Sequence, residues 1–254
     1  MSIKEAPLVS VVLTTFNRSN LVTRAIRSVL NQTYENLEII VVDDCSDDDT
    51  EEIVKSIRDD RLRYFRNKRN EGASSARNRG IDLSRGDYVA FQDDDDEWLP
   101  DKLESQVEIL SSAPDKVGLV YCKTLRRRDG EEKYFPRFKK LCMEGDIHNA
   151  LLVRNLIITP AALVRKICLK KVGGFDTGLE ALVEWELWIR FSKEYEVRYI
   201  DRALLISYET EKSISSDYTS AVNSLVKIVN KHKMDMGSNQ KALSRQYRRL
   251  GEYL

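Results

Sequence analysis

Apolar and polar positions in the first 120 residues switch repeatedly between two periods. Residues 8–14, Leu-Val-Ser-Val-Val-Leu-Thr, form a short apolar run rich in β-branched side chains, the pattern of a strand buried on both faces. Ser19 or Asn20 then caps a helix whose apolar positions Leu21, Val22, Ala25, Ile26, Val29 and Leu30 recur at helical spacing. Residues 37–42 read as a second strand, ending at Asp43-Asp44. Asp47, Asp48, Asp49, Glu51 and Glu52 open the next helix, where negative charge suits the positive end of the macrodipole. A brief strand at 62–65, a helix at 73–83, a strand at 87–92, a helix from Pro100 and a strand at 117–122 continue the alternation. The pattern predicts an α/β fold: a Rossmann-like, doubly wound, mainly parallel sheet with helices on both faces.

The rhythm breaks over 124–150. Arg126-Arg127-Arg128-Asp129-Gly130 reads as a hairpin turn and the rest as an excursion over the sheet edge. Residues 161–164 are expected to return to the sheet. A helix follows at 184–194 with Leu187, Trp188 and Phe191 on one face, then short strands at 197–200 and 204–208. From Ser213 a helical tail carries Val222, Leu225, Val226 and Val229 as its expected apolar stripe.

The 254 residues are 42% hydrophobic and 32% charged, which suits a globular protein with a sizeable core. Lys+Arg and Asp+Glu both number 41, so net charge gives no sign of a nucleic-acid partner. Cys45, Cys122, Cys142 and Cys168 are far apart, without a Cys-x-x-Cys pair. That argues against a zinc ribbon and a secreted disulfide scaffold, and for reduced thiols in a cytoplasmic protein. The first seven residues lack the apolar segment of a signal peptide. No run approaches the ~20 apolar residues of a membrane span, so any membrane contact is expected to be peripheral.

The most telling chemistry is Asp93-Asp94-Asp95-Asp96-Glu97, directly after an apolar strand. Like charges in a row repel, and a divalent cation reverses that cost. Mg²⁺ and Mn²⁺ take hard oxygen ligands, usually one or two carboxylates plus a substrate's phosphates. In a parallel sheet the ends at Asp43-Asp44 and Asp93-Asp94-Asp95 share one edge, where ligands bind. Neither a Gly-x-x-x-x-Gly-Lys-Ser/Thr loop nor a Gly-x-Gly-x-x-Gly follows the first strand. A metal must then carry the phosphate charge, which points to a metal-bound nucleoside diphosphate. The alternative is a solvated acidic loop.

Several segments together resemble the family-two inverting glycosyltransferases. These are residues 9–18 (Val-Ser-Val-Val-Leu-Thr-Thr-Phe-Asn-Arg), Val42-Asp43-Asp44-Cys45-Ser46-Asp47-Asp48, and residues 70–80 (Asn-Glu-Gly-Ala-Ser-Ser-Ala-Arg-Asn-Arg-Gly). They continue with Gly86 to Phe91 running into the acidic cluster and Trp98-Leu99-Pro100, then Val172-Gly173-Gly174-Phe175-Asp176 and Glu184-Trp185-Glu186-Leu187-Trp188-Ile189-Arg190. The resemblance spans roughly residues 8–208. It implies a GT-A fold, a nucleotide-sugar donor, with a UDP-sugar expected, and a Mn²⁺ or Mg²⁺ cofactor. It also implies the roles that follow. Thr14, Phe16 and Asn17 match positions at the nucleotide, with Phe16 offering a stacking face; core packing is the plainer role for Phe16. Asp44 matches the carboxylate that accepts a base N–H, and Arg77 a basic residue near base and diphosphate. Asp93 and Asp95 end the Asp-x-Asp element: Asp95 is expected to hold the metal most directly, with Asp93, while Asp93 or Asp94 reaches the ribose.

Glu184 matches the base that deprotonates the acceptor, with Glu180 and Glu186 as fallbacks. Relatives place a Glu-Asp pair where this chain has Val183-Glu184, and Glu184 could instead cap its helix. Relatives also carry an Arg-x-His after the last strand. Here Tyr208 is followed by Glu209-Thr210-Glu211, leaving Lys212 or Arg202 to supply the charge.

Residues 1–212 are thus expected to form the catalytic domain, with a nucleotide-binding half to about 123 and an acceptor-binding half from about 124. Residues 213–254 would form a tail with seven basic and three acidic side chains. Such a tail could rest on anionic lipid at the inner membrane face, near a glycan or lipid-linked acceptor; a solvated tail or a homo-oligomer contact is the alternative. The alternatives to transfer are a sugar nucleotidyltransferase, whose Gly-rich opening loop is missing, and an inactive nucleotide-sugar-binding module.

Overall fold

A computed structural model describes residues 6–137, 141–208 and 218–253. The first half follows the apolar runs closely. β1 (Val9–Thr15), α1 (Ser19–Leu30), β2 (Leu37–Asp43), α2 (Thr50–Ser56), β3 (Leu62–Arg66), α3 (Ala73–Leu83) and β4 (Tyr88–Asp93) succeed one another in the expected order. Four apolar residues of β1, Val9, Val11, Val12 and Leu13, are buried, each worth about 1.5–3 kcal/mol against exposure. Alternation along β2 divides the packing between two faces. Ile39 and Val41 join the main core with Val22, Ala25, Ile26 and Val29 of α1, while Ile40 and Val42 meet Ala76 of α3. Helix α3 sits tightly on the sheet. A Cβ at Gly80 would lie 2.3 Å from a methyl of Val12, so only glycine permits this approach.

The chain continues through β5 (Glu97–Trp98), α4 (Lys102–Ser112), β6 (Val117–Arg128), β7 (Glu131–Phe135), α5 (His148–Val153), a 3₁₀ turn (Thr159–Ala161), β8 (Ala162–Arg165), α6 (Lys166–Val172), α7 (Val183–Glu194) and β9 (Glu196–Tyr208). The sheet order is β3-β2-β1-β4-β8-β6-β9-β5, with β7 paired to β6. β3, β2, β1 and β4 are parallel, as are β6 and β9, while β8 runs antiparallel between β4 and β6. The connections from β1 lead first to one side and then, through β4, to the other. The crevice at that reversal is where open α/β sheets bind ligands.

The expected hairpin is present: Asp129 and Gly130, both with positive φ, join β6 to β7. The two short strands expected at 197–200 and 204–208 are one strand, β9, with irregular register opposite Cys122–Thr124 of β6. Strand β6 runs uninterrupted across the expected half-domain boundary at 123/124.

The C-terminal helices α8 (Tyr218–Lys231), α9 (Lys233–Gly237) and α10 (Gln240–Tyr253) differ from a free tail. Leu225, Ile228, Met236 and Ala242 are buried in the main core. Gln246 Nε2 donates to the carbonyls of Leu152 and Val153 at 2.9 and 3.0 Å, tying α10 to α5. The buried stripe of α8 is Ser224, Leu225, Ile228 and Val229, whereas Val226 faces solvent. The stripe is rotated from the expected one because polar residues of α8 also face the core.

Candidate active site

Register sets the geometry of the ligand edge. Thr14 lies opposite Asp93, and Thr15 opposite Asp43, so the acidic ends of β2 and β4 flank the end of β1. Both oxygens of Asp43 are engaged within the fold: Oδ1 accepts Ser46 N–H at 2.8 Å and Oδ2 the Tyr64 hydroxyl at 2.5 Å. Asp44 is buried and accepts from Asn67 Nδ2 at 2.6 Å, Glu71 N–H at 3.0 Å and Gly72 N–H at 2.7 Å. It therefore shapes the 67–72 loop, and any base N–H must share its oxygens with that loop. Phe16 is 42% exposed, which rules out core packing and leaves a ring open at the edge. Asn17, with φ of 52°, donates its N–H to Ser46 Oγ and accepts Asp47 N–H, fastening the turn after β1.

The acidic run is not a solvated loop. Asp94 and Asp96 are buried, while Asp93 and Asp95 keep partly open carboxylates. Arg18 spans two of them, 3.0 Å from Asp94 and 2.5 Å from Asp95. Arg24 donates to the Asp95 carbonyl at 2.5 Å and stacks on Tyr208. Burial pushes the Asp94 carboxyl up to about 6 despite the opposing pull of Arg18, and raises Asp96 well above the usual range. Asp94 thus faces inward, and Asp93 is the more open candidate for a ribose.

Arg77 on α3 reaches Asp93 at 2.8 Å, with its guanidinium 5.5 Å from the Phe175 ring. Phe175 is fixed in turn: its N–H and C=O pair with the Asn78 side-chain amide at 2.8 Å each, and its ring meets Phe91 edge-on. The Gly173-Gly174-Phe175 segment thereby sets the height of Arg77 over the acidic edge.

Glu184 lies in the first turn of α7. Asn155 donates to its Oε1 at 2.8 Å, and the backbone N–H of Glu184 itself also bonds the carboxylate. Desolvation raises its carboxyl above the ordinary range; Arg77 and Arg126 oppose the shift and Asp93 reinforces it. Glu184 is therefore within electrostatic reach of the edge rather than a solvated helix cap. The fallbacks are placed differently. Glu180 is exposed and holds Ser220 at 2.8 Å. Glu186 is fully buried and bonded to Arg190, Lys231 and His232, which hold it well below the usual carboxylate range despite burial. It has no free oxygen to serve as a base.

Arg202 is tied to Asp101 and Ser105 at 2.6 Å each, so it does not supply the charge expected after the last strand. Lys212 and Glu209-Thr210-Glu211 lie outside the described residues. Four contributors escaped sequence reasoning. Arg18 and Arg24 stood within or beside a quoted motif without a role, Arg126 was read as part of a turn, and Asn155 carried no signal. A run of three arginines closing an apolar strand was the available clue for Arg126.

Among the described residues, no group of three or more His, Cys, Asp or Glu side chains could hold a metal ion. The donor set at Asp93 and Asp95 is hard oxygen, and a cation already sits 2.5 Å from Asp95 in the form of Arg18. These residues fit an ion that takes one or two carboxylates from protein and the rest from phosphate and water, not an all-protein cage. No described helix is long and apolar enough to cross a membrane.

The chain shares its fold with nucleotide-sugar enzymes. It aligns with S. aureus TarS in complex with UDP-GlcNAc at a TM-score of 0.70 and 21% identity, covering 87% of this chain and 66% of that one. It aligns with a Pyrobaculum calidifontis mannosyltransferase in complex with GDP-Man and Mn²⁺ at 0.69 and 22%, covering 97% and 70%. Both carry the GT-A fold. In sequence it is 37% identical over 206 residues to an uncharacterized glycosyltransferase of Rickettsia typhi, covering 79% of this chain and 63% of that protein. The chain thus spans less than two thirds of that relative's length. It is 35% identical over 122 residues to an E. coli UDP-Glc:α-D-GlcNAc-diphosphoundecaprenol β-1,3-glucosyltransferase, covering 48% of each. The sequence model of glycosyl transferase family 2 matches residues 10–173, and the chain belongs to that family.

Proposed function

We propose that the protein transfers a sugar, with inversion, from a nucleoside diphosphate sugar to an acceptor hydroxyl. The observation that supports it is the grouping at the ligand edge of Arg77, bonded to the partly open Asp93, with Glu184, whose raised carboxyl feels the charge of both. UDP is the favoured nucleotide, because Asp44 matches the family's base-accepting carboxylate and Phe16 is exposed just after β1, with the Asp44 oxygens shared between the base and the 67–72 loop. Family members that build polysaccharides or lipid-linked glycans make a surface glycan or lipid-linked oligosaccharide the product class.

Asp95, with Asp93, would hold Mn²⁺ or Mg²⁺, which supplies stabilisation of the charge on the departing diphosphate. The chain's own residues do the rest. Phe16 stacks on the base, Asp44 accepts its N–H, and Arg77 steadies the diphosphate side. Asn155 orients Glu184, whose second oxygen takes the proton of the attacking hydroxyl. The new C–O bond forms opposite the breaking bond to diphosphate, which inverts the anomeric carbon. Water is the slow substitute acceptor.

A contact with anionic lipid rests on α10, where Lys241, Arg245 and Arg248 are exposed at i, i+4 and i+7. Lys227 and Lys231 of α8 are bonded inward and do not contribute.

The test is thermal shift with UDP, GDP and Mn²⁺. UDP plus Mn²⁺ should raise Tm beyond either alone, by about 2.7 kcal/mol of stabilisation at a hundredfold excess over Kd. Asp95→Ala should abolish the synergy. An unchanged synergy in that variant removes the metal from the reading, and equal responses to UDP and GDP remove the base preference.

A further inference from the structure

Helix α8 presents a polar stripe to the segment that leads into Glu184. Ser220, Ser224, Lys227 and Lys231 stand at i, i+4, i+7 and i+11, one face of a helix. Each bonds a different point of residues 176–181, the two serines at 180 and 181 and the two lysines at 178 and 176. Ser220 Oγ donates to Glu180 Oε2 at 2.8 Å. Ser224 Oγ accepts the Ala181 N–H at 3.0 Å. Lys227 Nζ donates to the Gly178 carbonyl at 2.8 Å. Lys231 Nζ donates to Asp176 Oδ2 at 2.6 Å.

The stripe continues onto α7. Lys231 is also 2.8 Å from Glu186 Oε1, and His232 Nε2 lies 3.3 Å from the same oxygen. Glu186 in turn takes three contacts from Arg190, whose other end holds the carbonyls of Val172 and Gly174. The segment itself needs holding. Leu182 adopts a left-handed conformation with φ of 58°, which a branched L residue keeps only when its surroundings impose it.

We propose that α8 is a positioning splint for Glu184: its polar stripe and the Glu186 cluster fix residues 176–186, and thereby the base, relative to the donor edge. This rests on the assignment of Glu184 as base. It deepens that reading by making the C-terminal helices part of the machinery rather than an appendage. The splint touches neither donor nor acceptor. It acts on transfer through geometry, where displacement of a reacting group by about 1 Å costs on the order of a hundredfold in rate.

The test uses the full chain with Ser224→Ala, Lys231→Met and Lys231→Arg, beside Glu184→Gln as reference. UDP-glucose, UDP-GlcNAc and GDP-mannose are offered with Mn²⁺, and nucleoside diphosphate release to water is followed. Hydrogen exchange of the amides of residues 177–186 is measured in parallel. Lys231→Met should lower kcat by about ten- to a hundredfold with donor KM and the UDP–Mn²⁺ thermal shift unchanged, and Lys231→Arg should restore most of it. Ser224→Ala, which removes one hydroxyl and folds even where Lys231→Met does not, should speed exchange of the Ala181 amide and lower kcat in the same sense. Native kcat together with native exchange in Ser224→Ala and Lys231→Met overturns the splint. Full turnover in Glu184→Gln overturns the base assignment instead, and the exchange data then decide the splint separately.

Discussion

The two acidic regions of the molecule are compensated in opposite ways. At the ligand edge, Asp93 to Asp96 share Arg18 and Arg77, and two of the four are driven toward the protonated form by burial. On α7, Glu186 alone has Arg190, Lys231 and His232, and is held ionised. Glu184, two residues earlier on the same helix, has only amide N–H partners, Asn155 and its own backbone, with no cation bonded to it among the described residues, and is shifted the other way. The difference separates carboxylates that hold the fold together from carboxylates left with capacity for something that binds. A saturated carboxylate has no lone pair to give to a substrate; an under-compensated one is costly until its ligand arrives.

The comparison is sharpened most by exchanging Glu184 for glutamine. Transfer should fall by about 10²–10⁴-fold with donor binding retained. Because its carboxyl is raised, the wild-type rate should climb with pH through a limb above the ~4.3 of a free glutamate, and that limb should be missing from the residual rate of Glu184→Gln. A wild-type rate flat across pH 4–8 would break the contrast.

Glu186→Gln should instead act on stability. Removing the charge strands the buried His232 and the half-buried Arg190, a loss of about 3 kcal/mol, or roughly 6–12 °C in Tm. The sign of the pH dependence follows from a depressed native value. The stabilisation is fully present above about pH 4.3 and is lost as pH falls below it, so wild type and variant should converge in acid. Parallel melting curves down to pH 3 would show that Glu186 is not held ionised. The smallest effect is expected at the open edge. Phe16→Ala should leave the melting temperature of the free protein unchanged and weaken UDP binding by about 1 kcal/mol, roughly fivefold, by isothermal titration.

The sheet half of the fold was legible because buried parallel strands read as continuous apolar runs. β1, β2 and β4 emerged within a residue of their bounds, and α3 to the residue. The acidic run was legible as chemistry, but its inward and outward members were not, because Asp94 turns in to Arg18, from the turn before α1, and Asp96 to Ser207 and the Tyr208 backbone of the distant strand β9. The later half was harder to read. β8 is four residues long and antiparallel, and β7 is a mixed, exposed edge strand whose pairing leaves no apolar signature. The docking of α8 was hidden for a physical reason. Its buried face mixes Leu225 and Ile228 with Ser224, while the exposed Lys227 and Lys231 bend back to bond residues 178 and 176, so counting apolar residues alone points the helix the wrong way and counting charge alone makes it a surface tail. Glu186 stood in the motif as a spare base, and only its three partners identify it as a structural anchor.

The reach of α8 back to residues 176–186 also has a temporal side. A chain emerging from the ribosome completes β1 to β4, and with them the edge bearing Asp93 to Asp96, long before Ser220 to Lys231 have been synthesised. The segment ahead of Glu184 therefore lacks its polar partners until α8 has been made and folds back onto it. Vectorial synthesis thus orders the two regions in time: the ligand edge first, the aim of the base after it.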